Sequence, residues 1–278
     1  MLALDARNIS MQFNNFDLKN INLNISLGEI VSIVGPNGSG KSSLLKIITN
    51  QYHANEGDIF IAGIKNTDFL IKQKVGIVYD DIPFPKHWTA IDIDKWLGPF
   101  YSEWSSDLFF SYLNEFKVDN EKTVDTLSRG MKTKLMLAHA ISHNAQLLIL
   151  DEPTSGLDPT ARKVLLSSLK KYVSDKQHSV LFTTHISTDV TAVADRMSLM
   201  IDGSLLLTEK VCNLNKYRLV KCQKQTDINA SGDDMIPIKT NNTFWNILKN
   251  SQIEGENIQT SIDEIIELFE VDKRKQDI

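Results

Sequence analysis

The 278-residue chain is 42% hydrophobic and 23% charged, with a formal net charge of −5; that balance supports a folded core and excludes a global positive field for nucleic acid. Its two cysteines, Cys212 and Cys222, have neither metal-ligand spacing nor the density of a secreted disulfide scaffold, so both are expected to be reduced thiols. No apolar run approaches the roughly 20 residues of a membrane-spanning helix, and the start Met1-Leu-Ala-Leu-Asp-Ala-Arg7 lacks the basic and apolar regions of a signal peptide.

Apolar and polar residues alternate in Asn20-Ile-Asn-Leu-Asn-Ile-Ser-Leu27, which predicts an antiparallel strand with one wet face. Glu29-Ile-Val-Ser-Ile-Val34 is instead continuously apolar and reads as a buried core strand. The glycine loop Gly35-Pro36-Asn37-Gly38-Ser39-Gly40-Lys41-Ser42-Ser43 follows at once, and Ser43-Leu-Leu-Lys-Ile-Ile48 continues as a helix. Strand, glycine loop and helix in this order form a phosphate cradle: glycines allow a tight turn, and loop amides and the helix N-terminus face a polyphosphate. Lys41 then reaches the outer phosphates and the Ser42 hydroxyl helps to hold Mg²⁺.

Short strands are expected over Gly57–Gly63 and Lys74–Tyr79. From Thr89 to about Val124 the texture turns helical: Phe109, Tyr112, Leu113 and Phe116 recur at i, i+3, i+4 and i+7, and Pro99 interrupts the stretch before them. Trp88, Trp96 and Trp104 fall in the same region, where aromatic area serves both core packing and partner binding. A helix from Ser128 to about His143, a strand at Gln146–Leu150, a helix over Ala161–Val173 and a strand at Ser179–Thr184 imply a parallel sheet with helices on its faces. Met197–Ile201 and Ser204–Thr208 flank Asp202-Gly203, the signature of a hairpin with a type I′ turn. Past Lys210 the patterning weakens: Asp227–Asp234 reads as a loop, and Ser261-Ile-Asp-Glu264 as a capping box ahead of an apolar face at Ile265, Ile266 and Phe269.

Asp151 and Glu152 stand at the carboxyl end of the Gln146–Leu150 strand, where open α/β sheets place their ligands. Asp151 suits a Mg²⁺ ligand, direct or through water, and Glu152 suits a base that orients or deprotonates the water attacking a terminal phosphate.

The block Leu127-Ser128-Arg129-Gly130-Met131 and the run Asp151-Glu152-Pro153-Thr154-Ser155-Gly156-Leu157-Asp158 resemble the ATP-binding cassette ATPases, over roughly residues 2 to 209. The resemblance implies an α/β fold: a P-loop core of RecA-like parallel sheet, an N-terminal antiparallel β subdomain and an inserted helical subdomain at about 85–145. A C-terminal accessory domain is expected at 210–278. It also implies ATP and Mg²⁺ as cofactors, with Phe13 stacking on adenine, Phe16 close by, and His185 contacting the γ-phosphate. In the family Ser128 and Gly130 meet the γ-phosphate held by a second ATPase subunit, in a head-to-tail dimer that Asp158 helps to couple. Arg129 and Met131 depart from the usual Gly and Gln, and Asp80-Asp81 stands where the family has a glutamine. At Asp80 a charged oxygen is expected to contact the metal.

The resemblance further implies a cytoplasmic ATPase, peripheral on the inner face of the cell membrane and paired with a separate permease subunit, without nucleic acid. The Asp80-Asp81 variant and the S-R-G-M signature resemble the ATPases of small bacterial peptide or drug exporters, the phenol-soluble modulin exporters among them. An importer engine and a non-transport cassette ATPase are the alternatives, and the second subunit is either a copy of this chain or a sister chain.

Overall fold

The computed structural model describes residues 1–79, 81–222, 235–240, 243–249 and 257–259. Asp80, the loop expected at 227–234 and the capping box at Ser261 lie outside the described residues. Strands β1 (Leu2–Phe13), β2 (Phe16–Ser26) and β3 (Ile30–Val34) open the chain and lead into α1 (Lys41–Ile48). β4 (Glu56–Ile61), β5 (Ile64–Lys65) and β6 (Val75–Val78) precede three helices, α2 (Ala90–Leu97), α3 (Ser106–Phe116) and α4 (Arg129–Ser142). Then come β7 (Leu147–Asp151), α5 (Pro159–Tyr172), β8 (Ser179–Thr184), α6 (Ser187–Val193), β9 (Arg196–Ile201) and β10 (Ser204–Lys210). The last strands are β11 (Tyr217–Cys222), β12 (Met235–Thr240), β13 (Thr243–Lys249) and β14 (Asn257–Gln259).

These elements form three sheets. One is antiparallel with order β2-β1-β4-β5, and a second has order β10-β9-β3-β8-β7-β6, parallel except for the edge strand β10. The third is antiparallel, β12-β13-β11-β14. Along β2, Leu18, Ile21, Leu23 and Ile25 are buried while Asn20, Asn22 and Asn24 are exposed, the alternation of a one-sided sheet. All five residues of β3 and all six of β8 are buried, as strands with elements packed on both faces must be. Asp202 (φ 43°) and Gly203 (φ 77°) turn β9 into β10 through two left-handed residues, as a type I′ turn requires.

The helical segment packs as its spacing predicts, with Phe109, Tyr112, Leu113 and Phe116 of α3 all buried in one core. Thr89 and Asp92 form a reciprocal capping box that starts α2, and Pro99 sits in a short 3-10 turn immediately after it. Of the three tryptophans here, Trp88 and Trp104 pack against the core, Trp104 also donating its indole N–H to Asp94 Oδ1 at 2.8 Å, whereas Trp96 is 52% exposed. α5 starts two residues before the sequence estimate because Pro159 occupies its first position and the Asp158 carboxylate caps Thr160 and Ala161 N–H. After β10, Val211 and Leu214 and the buried Tyr217 pack on Val190 of α6 and on β9, so the entry to the third sheet is fastened to the cassette.

Two buried histidines at the end of α4 carry a pH dependence, and His143 also meets the Val75 carbonyl of β6 at 3.2 Å. His143 stacks on Tyr101 at 4.2 Å, and His139 is surrounded by Phe84, Tyr101 and Trp104 at 5.2 to 5.4 Å between ring centroids. Burial pushes His139 down to about 3, and pushes His143 down as well. A depressed folded pKa gives stability that is present above the unfolded value near 6.5 and is lost as pH falls. Unfolding free energy is therefore expected to drop below about pH 6.5 by up to about 1.4 kcal/mol per pH unit for His139. His139→Phe should remove that share of the slope in urea titrations; an unchanged slope would refute the assignment.

Candidate functional site

Two glycines explain the shape of the loop that joins β3 to α1. A Cβ on Gly35 would lie 2.1 Å from the Met200 carbonyl oxygen, and Gly40, at φ 106°, would place one 2.4 Å from Phe16 Cζ. Only glycine fits either position. The β9–β10 turn supports the loop from behind, the Gly203 N–H donating to the Ser39 carbonyl at 3.0 Å. The Lys41 side chain is buried, and its ammonium donates to the carbonyls of Gly35 at 2.8 Å and Pro36 at 3.0 Å, so its charge stays beside the loop. α1 begins at Lys41 with no side-chain cap, leaving its N-terminal pole to face the loop's ligand.

A cavity of about 310 Å³ opens over this loop, lined among others by Phe16, Asn37, Lys41, Ser42, Ser43 and Glu152. Phe16 lines it, while Phe13 stands behind, 5.7 Å from Phe16 and 5.9 Å from Tyr52 between ring centroids. Ser42 is exposed on the cavity side. Backbone amides, a buried ammonium and a helix N-terminus suit a polyphosphate. An exposed hydroxyl with a carboxylate at the adjoining strand end suits Mg²⁺, a hard cation that prefers oxygen ligands.

That carboxylate belongs to Asp151, at the end of β7. In-register pairing of β7 with β8 sets Asp151 opposite Thr183, whose hydroxyl donates to Asp151 Oδ1 at 2.5 Å and accepts the Glu152 N–H at 3.0 Å. The clamp holds Glu152 at φ 45°, a left-handed conformation that costs a non-glycine residue of order 1 kcal/mol or more. Strain at this position turns the Glu152 carboxylate toward the loop cavity and toward His185, whose Nδ1 lies 3.3 Å from Glu152 Oε1. Thr183 was not legible as a site residue, because nothing local to Thr183-Thr184 reveals which strand lies beside it.

A buried network braces the segment between Glu152 and α6. Asp189, with no exposed surface, accepts from the Thr154 hydroxyl and from Arg162 Nε at 2.5 Å, while Arg162 also donates to the Thr188 hydroxyl at 2.6 Å. Asp189 thus ties the loop after Glu152 and the start of α5 to the helix that follows His185. Tyr79 does similar work at the end of β6, its hydroxyl 2.6 Å from Thr49 Oγ1, with burial pushing the phenol up to about 12.

Ser128 and Gly130 are not among the residues lining the cavity over the glycine loop. Ser128 is exposed and caps α4 through Met131 N–H at 3.3 Å, and a Cβ on Gly130 would meet Leu157 Cδ2 at 2.7 Å. The signature therefore packs on the Ser155–Asp158 segment. Asp158 is engaged as the α5 cap, and the Ala161 amide, then the Thr160 amide, hold its carboxyl below the usual range.

A parallel sheet that delivers a glycine phosphate loop, an Asp-Glu pair and a histidine to one edge defines a P-loop nucleotide-binding cassette. Residues 18–155 match the sequence model of the ABC transporter family. The chain is 32% identical over 212 residues to the SkfA peptide export ATP-binding protein SkfE of Bacillus subtilis (strain 168), covering 74% of this chain and 88% of that one. The chain belongs to the ABC transporter ATP-binding family. It is also similar to the galactofuranose transporter ATP-binding protein YtfR of Escherichia coli (strain K12), 29% identical over 271 residues, and spans about half, 53%, of that relative's length. Among solved structures, a dimeric ATP-binding cassette in a post-hydrolysis state bound to ADP and Pi superposes with a TM-score of 0.67 at 27% identity, covering 75% of this chain and 98% of that one.

Proposed function

We propose that this chain binds and hydrolyses ATP as the nucleotide-binding subunit of a transporter, and that it exports a peptide or amphipathic substrate through a separate membrane subunit. The observation that carries the reading is the contact of Glu152 with His185 beside the cavity of Lys41 and Ser42, a base and a γ-phosphate contact brought to one phosphate cradle. Lys41 and the loop amides hold the phosphates, Ser42 and Asp151 hold the metal, and Asp80 is proposed as a further metal contact. Mg²⁺ there neutralises charge on the phosphate oxygens. Glu152 takes the proton of the attacking water as its oxygen bonds to the γ-phosphorus and the bond to the β-phosphate oxygen breaks, releasing ADP and phosphate, while His185 contacts the γ-phosphate. Phe16, with Phe13 packed behind it, offers the aromatic surface for adenine.

Ser128 and Gly130, set away from the cavity of their own chain, complete the site of an apposed cassette, so the working unit is a head-to-tail pair, a homodimer or a heterodimer. The solved relative is itself dimeric, which supports a pair of cassettes. Exposed Trp96, Ile91 and Phe100 on the inserted helical unit offer the apolar contact for the permease. The pairing places the chain on the cytoplasmic face of the cell membrane; no helix among the described residues is long and apolar enough to cross it.

Export is favoured because a relative matched across 88% of its length is named for peptide export. Import is the second reading, favoured by the match of 78% of this chain to a Clostridium perfringens protein named for galactose and methyl galactoside import. Vesicles containing this chain with its co-purifying membrane subunit separate the two. Inside-out vesicles are expected to accumulate an amphipathic peptide on ATP addition, Lys41→Ala to abolish uptake, and Trp96→Glu to abolish it while leaving ATP binding intact. Uptake of sugar by right-side-out vesicles alone would overturn the export reading, and uptake by neither would overturn transport.

A further inference from the structure

α5 and α6 enclose a groove of about 450 Å³. On α5 it is lined by Pro159, Arg162, Lys163, Leu166, Ser167 and Lys170, a stripe at i, i+3, i+4, i+7, i+8 and i+11 that runs about 16 Å along one helix face. Buried Leu166 and Val193 form the floor, and half-buried Leu157, just ahead of α5, continues it.

The charge along the groove is of one sign. Lys163 and Lys170 are exposed and form no ion pair among the described residues. Asp189, the one acid among the lining residues, has no exposed surface and is already bonded by Arg162 and Thr154. Arg162 spends Nε on Asp189 and Nη2 on Thr188, and a guanidinium carries five donors, so it has donors left for a further acceptor. An apolar floor under such cations selects a ligand with an apolar body and an acidic group.

Size narrows the ligand further. A ten-residue helix of about 10 Å diameter and 15 Å length occupies about 1,200 Å³, well above the groove's volume, whereas pockets of about 300–1,000 Å³ bury small molecules. A bilayer surface is also a poor match, because it presents headgroups and hides the chains that the floor would take. The nucleotide is a separate ligand, since no residue lines both this groove and the cavity over the glycine loop.

We propose that the α5–α6 groove binds a free single-chain amphiphilic anion, a linear apolar chain ending in phosphate or carboxylate. The chain lies on Leu157, Leu166 and Val193, and the acid meets the cationic rim. Arg162 also holds Asp189, so the bound anion shares the guanidinium that braces the loop after Glu152.

The test titrates the full chain by calorimetry with dodecyl phosphate below its micelle concentration, with saturating MgADP on the glycine loop. One site per chain is expected. Inorganic phosphate, which lacks the chain, should bind about a hundredfold more weakly, and dodecyl trimethylammonium, with the same chain and the opposite charge, about tenfold more weakly. Lys163→Ala with Lys170→Ala should cost about fivefold in affinity, the order for two exposed charge pairs. Ala192→Phe, at an exposed position of the wall, should cost about tenfold by filling the chain's space while leaving every cation in place. Circular dichroism and MgADP affinity matching the parent confirm that each variant is folded. Equal affinity for the anionic and cationic amphiphiles, parental affinity in either variant, or uptake that does not saturate at one per chain overturns the proposal. So does binding to anionic vesicles or to an acidic amphipathic peptide without binding of dodecyl phosphate.

Discussion

Glu152→Gln is expected to retain MgATP affinity while its turnover falls by about 10² to 10⁴, the range for loss of a positioned general base. The side chain keeps its size and its place, since the clamp from Thr183 acts on the backbone N–H of residue 152 and not on the carboxylate. What disappears is the carboxylate 3.3 Å from His185 Nδ1, the proposed proton acceptor. Because the γ-phosphate would persist, the variant should accumulate an ATP-dependent dimer on gel filtration, completing each site with Ser128 and Gly130 of the apposed chain. Turnover within a few fold of the parent would remove Glu152 from the role of base. Loss of ATP binding as well would show that its carboxylate serves the cradle itself.

The second large effect is at Asp189. Its carboxylate has no exposed surface and is held by Arg162 and Thr154. Asp189→Ala leaves the partly exposed guanidinium without its buried counter-charge and the Thr154 hydroxyl without an acceptor, and leaving such buried partners unsatisfied costs about 1–3 kcal/mol. The denaturation midpoint should fall accordingly. Replacing both partners, Asp189→Asn with Arg162→Met, should recover most of the loss, because no uncompensated charge remains. Since Asp189 lies four residues past His185 and bonds a residue two past Glu152, surviving Asp189→Asn protein should lose kcat more than it changes KM for ATP. Equal changes in both, or a stability loss below about 1 kcal/mol, would leave Asp189 as ordinary core polarity.

Much of the site was legible because its chemistry is local. The turn that Gly35, Gly38 and Gly40 permit, the helix pole beyond it, and an Asp-Glu pair at the end of an apolar run are consequences of neighbours in sequence. The fold was legible for a related reason: β3, β7 and β8 are continuous apolar runs, and a strand bounded by helices and buried on both faces has few other places to go. The helical stripe of α3 and the paired left-handed residues at Asp202 and Gly203 likewise encode their own geometry.

The sequence by itself therefore determined the phosphate cradle, the order of the motifs and the class of fold, because backbone turns and hydrophobic periodicity act over a few residues. Tertiary structure alone decided which distant side chains meet. Thr183 reaches Asp151 because β8 lies between β3 and β7 in the sheet, an order unrelated to their order in the chain. Phe16 comes to line the cavity, with Phe13 behind it, because the β1–β2 hairpin folds back over the glycine loop. Asp189, Arg162 and Thr154 converge from two helices and a loop to a point that no spacing encodes. Such contacts depend on how whole elements pack, and the energy that selects one packing is spread over the buried core and not written in any one stretch of it.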